Sequence, residues 1–223
     1  MKHTLIQALD ERLRALSNPQ IAEGQSAYMR DQFAFLGIQK PAREKVQKEL
    51  FKTHSLAQKE ELALIIDHLW SQKQREFHYS ALDLISKYSK LWTPSILTLF
   101  ERLIRTHSWW DTVDLIASKH VGGLVEKYPN LVEVMDGWIE DDNLWIRRTA
   151  ILHQLKWKER TDEQRLFSYC KKRAHEKEFF IRKAIGWALR EYSKTSPDAV
   201  GTFIAQNQKC LSPLSIREGS KYL

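Results

Sequence analysis

The stretch Phe180-Ile181-Arg182-Lys183-Ala184-Ile185 decides the fold, because it does not stand alone. Ile146-Arg147-Arg148-Thr149-Ala150-Ile151 and Phe77-His78-Tyr79-Ser80-Ala81-Leu82 follow the same plan: an apolar residue, three variable positions, then Ala and a Leu or Ile. Ala150 and Ala184 are 34 residues apart, and Ala81 and Ala150 are 69 apart, which leaves room for one more unit around Trp110 to Ala117. Helical units recurring every roughly 30–50 residues indicate an α-solenoid, in which each helix pair buries its apolar face against its neighbours. The Trp/Leu-Gly/Tyr signature of tetratricopeptide repeats is not found at this period, so irregular HEAT-like pairs fit better.

Working outward, the punctuation supports helices throughout. The six prolines, in Asn18-Pro19, Gln39-Lys40-Pro41, Thr93-Pro94, Tyr128-Pro129, Ser196-Pro197 and Ser212-Pro213, fall where helices begin, since a first-turn N–H needs no intrahelical acceptor. Strand alternation is nearly absent, and residues 60–67 read as an amphipathic helix. The expectation is an all-α solenoid of five to seven HEAT-like helix pairs without a sheet. No linker or low-complexity segment divides the chain, so residues 1–223 are read as one domain.

With 223 residues, 43% of them hydrophobic, the chain has enough apolar surface for a substantial core. A formal charge of +7 and a pI near 9.3 favour a polyanionic partner, nucleic acid foremost. Cys170 and Cys210 lie far apart without CxxC spacing, which suggests neither a disulfide framework nor structural zinc, and fits a reducing cytoplasm. The opening Met1-Lys2-His3-Thr4-Leu5-Ile6 lacks a signal-peptide core, and apolar runs such as Leu62 to Ile66 are too short to span a bilayer, so a soluble cytoplasmic protein without membrane contact is expected.

Chemistry concentrates in Ser108-Trp109-Trp110-Asp111-Thr112-Val113-Asp114. Trp110 and Asp114 are four apart and share a helix face, so an indole and a carboxylate stand together, a pairing suited to a cation. Tryptophan is more commonly core and an early Asp more commonly a cap or dipole partner. On the helix over residues 181–194, Ile181, Ile185, Ala188 and Tyr192 form one stripe, while Lys183, Trp187, Arg190 and Lys194 form another about 200° away. Thr149, His153, Lys156 and Arg160 occupy the equivalent positions one repeat earlier. Adjacent basic helices of this kind are expected to follow a phosphate backbone, although lysines and arginines on a helix are often simply solvated.

The Ser108–Asp114 run belongs with further segments: Asp142-Asn143-x-Trp145-x-x-Arg148-x-Ala150-Ile151-Leu152-x-Gln154-Leu155-Lys156, Lys177-Glu178-Phe179-Phe180-Ile181-x-Lys183-Ala184-Ile185-Gly186-Trp187-x-Leu189-Arg190-Glu191-Tyr192, and Phe33-x-Phe35-Leu36-Gly37-Ile38-Gln39-x-Pro41. In this order, almost end to end, the chain resembles the AlkD family of bacterial DNA alkylation-repair glycosylases. The resemblance implies a HEAT-like solenoid that holds duplex DNA and removes N-alkylated purines, notably N3-methyladenine and N7-methylguanine, without a metal or other cofactor. The expected partner is double-stranded DNA carrying such lesions, with no obligate protein partner and the chain acting as a monomer.

By the same resemblance, Trp110, Asp114 and Trp187 match the family's active-site aromatics and carboxylate, Arg148 its active-site arginine, and Tyr28 an aromatic of the same cleft. Lys156, Arg190, Arg43 and Arg217 match basic positions facing the DNA backbone. Lys183 and Lys194 join them from the basic stripe. An alkylated purine is already a cation and a good leaving group, so Asp114 is expected to stabilise the oxocarbenium-like sugar and orient water, Trp110 and Trp187 to offer π faces, and Arg148 to hold a phosphate. The resemblance further implies recognition without insertion of the base into a deep pocket, which would admit bulky adducts. The eight histidines show no paired-ligand spacing, so His107 and His153 are expected to be solvated or DNA-facing, and Gly122-Gly123 forms no phosphate cradle. The chain stops at Tyr222-Leu223, earlier than the family pattern. The competing expectation is a noncatalytic HEAT-like module that binds DNA or protein, with a peptide-binding scaffold behind it.

Overall fold

In a computed structural model, which describes residues 4–54, 56 and 58–223, all six prolines open a helix or a 3-10 turn. Residues 1–3 of the chain's opening lie outside the described residues. Asn18 accepts from the N–H groups of Gln20 and Ile21, Asn143 from those of Trp145 and Ile146, Asp162 from Arg165 and Ser212 from Ser215, so four helix starts have a side-chain cap. Among the described residues the chain is all-α, with extended backbone pairing only at an isolated bridge between Ala34 and Gln74. None of those helices is long and apolar enough to cross a membrane.

Contacts divide the chain into two compact units, Met1–Trp92 and Thr93–Leu223. The first contains α1 (Thr4–Arg14), α2 (Pro19–Tyr28), α3 (Lys40–Thr53), α4 (Lys59–Trp70) and α5 (Arg75–Lys87). Leu5, Leu9 and Leu13 of α1, four apart, are wholly buried with Leu62, Ile65, Ile66 and Leu69 of α4, as the amphipathic reading of residues 60–67 requires. The α2–α3 connection is pinned by Glu76, whose buried carboxylate accepts from the N–H groups of Leu36, Gly37 and Ile38 at 2.9–3.1 Å. Gly37 is required there: its φ is +84°, and a Cβ would lie 1.9 Å from the Asn18 carbonyl oxygen.

The second unit contains α6 (Leu97–Arg105), α7 (Trp110–Leu115), a π-helical segment (Ile116–Val121), α8 (Gly122–Lys127), α9 (Val132–Trp138), α10 (Leu144–Leu152), α11 (Glu163–Lys172), α12 (Phe179–Ser193), α13 (Pro197–Gln206) and α14 (Pro213–Gly219). The repeat alanines explain themselves. Ala81, Ala117, Ala150 and Ala184 are all wholly buried, small enough to let neighbouring helices approach. Gly122 extends this logic, because a Cβ there would lie 2.2 Å from the His153 carbonyl oxygen, while its own carbonyl accepts from Trp157 Nε1 at 3.2 Å. Gly122 is therefore a packing residue.

The expected basic stripe on α10 needs correction. Thr149 and His153 are wholly buried, because a helix stacked between two neighbours has more than one apolar face. His153 is neither solvated nor available to DNA: its ring lies against Trp157 and Tyr169, and its Nδ1 hydrogen-bonds the Ala150 carbonyl at 2.7 Å. Burial pushes its pKa down to about 4. His107 is exposed in a left-handed turn at φ +51°. On α12, Ile181, Ile185 and Ala188 are core as expected, but Ala184, Leu189 and Ser193 are buried too.

Candidate active site

The helix carrying Asp114 starts at Trp110 because Trp109 is extended, at φ −159° and ψ 160°. The two adjacent indoles part there. Trp109 packs with Trp145 and Phe180 in a three-ring cluster, with centroids 4.9–5.7 Å apart, whereas Trp110 lines a cleft on the first turn of α7. Asp114 lies one turn further on the same face and lines the same cleft. The π-helical segment begins two residues later, and Ser118 within it donates to the Asp114 carbonyl at 2.8 Å. Such wide turns are rare and occur frequently at functional sites.

Arg148 stands 34 residues after Asp114, one repeat along, so equivalent positions on stacked helices meet. Its Nε donates to Asp114 Oδ1 at 2.7 Å and its Nη2 to Oδ2 at 2.8 Å, a parallel two-bond fork, while Nη1 donates to the Phe180 carbonyl. The Arg148 side chain is only 3% exposed and that of Asp114 14%. Both Asp114 oxygens accept hydrogen bonds from the guanidinium, which is the pattern of an ionised carboxylate. Burial pushes the Asp114 pKa upward, the Arg148 guanidinium pulls it back, and nearby Asp111 adds a smaller upward push. The result is a desolvated anion with one fixed orientation.

This geometry corrects the expectation that Arg148 holds a phosphate. Its guanidinium is buried and committed to Asp114 and Phe180, so it acts on the carboxylate. The cleft, of about 330 Å³, brings Trp110, Asp114, Arg148 and Trp187 together with Lys183 and Arg190; Phe179, Phe180 and Glu218 complete its wall. Trp187 reaches the cleft from the face of α12 that also carries Lys183 and Arg190.

Lys194 does not join them. Eleven residues from Lys183, or about 16 Å along a helix axis, it caps the end of α12 and lines a separate cleft of about 580 Å³ with Lys156 and Lys158. Lys183 and Arg190 thus line one cleft of this unit, and Lys156 and Lys194 another. Tyr28 and Arg43 lie in the first unit, in a cleft of about 420 Å³ with Phe35, Lys40 and Tyr79. Tyr28 is 70% exposed. Arg43 is buried, with its guanidinium 4.8 Å from the Tyr79 ring and 3.4 Å from Asp83, which corrects its expected role as an open backbone contact. Arg217 is exposed on α14.

Phe179, Phe180 and Glu218 carry no assigned role in the sequence reading. The two phenylalanines lie in a segment already singled out there, and their position at the start of α12, one repeat after Trp145, was the available signal.

The site is thus a buried guanidinium–carboxylate fork beside two cleft tryptophans, carried on a helical repeat. A family model described as DNA alkylation repair enzyme matches residues 9–223, and the chain belongs to that family. Among solved structures it is similar to a predicted DNA alkylation repair enzyme from Enterococcus faecalis, with 36% identity over 93% of this chain and 96% of that one, at a TM-score of 0.87. AlkD2 from Streptococcus mutans shares the fold at 19% identity and a TM-score of 0.63, covering 91% of this chain and 99% of its own. The smu.31 protein from Streptococcus mutans UA159 does so at 18% identity and 0.61, covering 92% and 98%. No curated protein matches the chain. Family and fold therefore agree with the resemblance read from the sequence.

Proposed function

We propose that this chain is a DNA glycosylase that excises cationic N-alkylated purines, N3-methyladenine and N7-methylguanine, from duplex DNA by hydrolysing the N-glycosidic bond, as a step of base excision repair. The observation that carries the reading is the Asp114–Arg148 fork beside Trp110 and Trp187 in one cleft. Membership of an alkylation-repair family supports it, as does the formal charge of +7, which suits a polyanion.

The chemistry follows from where charge moves. When the N-glycosidic bond breaks, its electron pair leaves with the purine and cancels the purine's positive charge, so the base needs no protonation. The positive charge passes to the deoxyribose as an oxocarbenium-like ion. A carboxylate already fixed and desolvated meets that charge without reorganising, which is the condition for strong electrostatic stabilisation. Trp110 and Trp187 offer π faces to the cationic nucleotide and exclude water from all but the attacking position. Water then adds to C1′, and its proton passes to Asp114, whose burial makes it a stronger base than an exposed aspartate, and from there to solvent. The products are the neutral alkylated base, an abasic sugar and one proton.

Arg148 is a positioning residue in this scheme: it holds both carboxylate oxygens and touches no substrate atom. Lys183, Arg190, Lys156, Lys194, Arg217 and Tyr28 supply contacts to duplex DNA, and the chain acts as a monomer. Single-turnover excision of N7-methylguanine from a duplex, by wild type and by Asp114→Asn, tests the reading. A wild type that binds DNA but releases no base turns the reading into that of a noncatalytic DNA-binding module.

A further inference from the structure

The cationic side of the cleft has an anion beneath it. Glu218, near the end of α14, is almost fully buried, and three cations converge on its carboxylate: Lys183 at 2.9 Å on Oε1, and Lys221 at 3.0 Å and Arg190 at 3.4 Å on Oε2. The cations themselves remain partly exposed, at 39% for Lys183, 24% for Arg190 and 47% for Lys221. Arg190 also lies 3.6 Å from Glu191, so these three cations face two carboxylates, and their partly exposed heads leave a net positive charge at the surface.

The backbone is shaped for this arrangement. Lys183 and Arg190 are seven residues apart on α12, two turns on one face, with Trp187 between them. Gly186 lets α14 approach, because a Cβ there would lie 2.6 Å from Glu218 Cβ and 3.1 Å from the Ser215 carbonyl oxygen. Ser215 Oγ donates to the Arg182 carbonyl at 2.9 Å and fixes the register of the two helices. The surrounding cations hold the Glu218 carboxyl down at about 2, Lys183 first and Lys221 second, so it stays ionised throughout the neutral range.

We infer that Glu218 is a positioning residue that ties Lys183, Arg190 and Lys221 into one phosphate clamp, which seats the phosphodiester beside the lesion and so sets the distance of the damaged sugar from Asp114. This deepens the proposed glycosylase reading and rests on it. Without Glu218, three mobile cations would still attract DNA but would not register it. The clamp also brings the residues just after α14 into the site through Lys221.

The test measures the affinity of full-length protein for a duplex across salt concentrations, and single-turnover excision of N7-methylguanine at saturating protein, for wild type, Glu218→Gln and Lys221→Met. Lys221→Met should make the slope of log K against log[salt] shallower by about 0.9, one phosphate contact. Glu218→Gln should keep or strengthen affinity yet lower the saturated excision rate at least about tenfold, because a misplacement of about 1 Å costs on the order of a hundredfold. A purely structural Glu218 would lower the melting temperature and leave both the saturated rate and the Lys221→Met slope at wild-type values, and that result overturns the clamp. If Glu218→Gln does not fold, the Lys221→Met slope decides alone. If wild type excises nothing, the glycosylase reading fails, while the salt slope still decides whether the clamp exists.

Discussion

Replacing Arg148 by methionine keeps a long, unbranched stem but leaves Asp114 without its fork. Two hydrogen bonds of 2.7 and 2.8 Å disappear around a carboxylate that is 14% exposed. Removing one partner of a buried ion pair costs roughly 3–5 kcal/mol, and the small exposure of Asp114, which admits some water, places this case near 3 kcal/mol. The pH dependence should change with it. Burial raises the Asp114 pKa and Arg148 lowers it, so removing Arg148 raises it further. In the proposed mechanism excision needs the anion and activity is lost as pH falls through that pKa, so the acid limb of the rate profile should move to higher pH in Arg148→Met. Urea unfolding of wild type, Arg148→Met and the double variant Asp114→Asn/Arg148→Met measures the stability part, with the double variant recovering much of the loss because no charge is left stranded. A loss below about 1 kcal/mol in Arg148→Met, together with an unmoved acid limb, would show that the fork does not tune Asp114.

Other consequences follow from the same packing. His153 is buried with a pKa of about 4 against an ordinary value of 6.5. The unfolded chain therefore takes up a proton that the native state refuses, and stability should fall by up to about 3 kcal/mol as pH drops from about 6.5 to about 4, a dependence that His153→Gln should flatten in pH-resolved melts. Gly122→Ala should destabilise by about 1–3 kcal/mol in chemical denaturation, although alanine is the better helix former, because its Cβ would sit 2.2 Å from the His153 carbonyl oxygen; a stabilised variant would refute the close approach. Trp187→Leu should slow excision of a cationic purine by roughly 2–30-fold, the equivalent of about 0.5–2 kcal/mol of cation–π attraction, and an unchanged single-turnover rate would remove Trp187 from the chemistry.

Much of the fold was legible in the sequence because its signals are local. Prolines and capping residues mark helix starts within a few residues, and the alanines at a period near 34 mark where stacked helices touch. The Trp110–Asp114 pair was legible for the same reason, as a four-residue spacing on one face. Its partner was harder to place. The resemblance put Arg148 in the same site but on a phosphate, and only the stacking of successive repeats shows that a residue 34 positions later meets Asp114. The stripe through Thr149 and His153 failed on a related point: a helix with neighbours on both sides buries polar residues on faces that a single-stripe pattern leaves to solvent. Glu218 left almost no trace, since a lone glutamate after an arginine looks solvated until Lys183 and Arg190 of α12 join the local Lys221 around it.

The central claim is that the Asp114 charge drives release of the base. The most direct measurement is single-turnover excision of N7-methylguanine from a duplex, at protein concentrations that saturate binding, for wild type and Asp114→Asn. The variant keeps the size of the side chain and loses its charge. The account predicts a rate lower by on the order of 10²–10³, with duplex affinity changed by no more than a few-fold. Equal excision rates in the two proteins would contradict it and make Asp114 a structural partner of Arg148 alone.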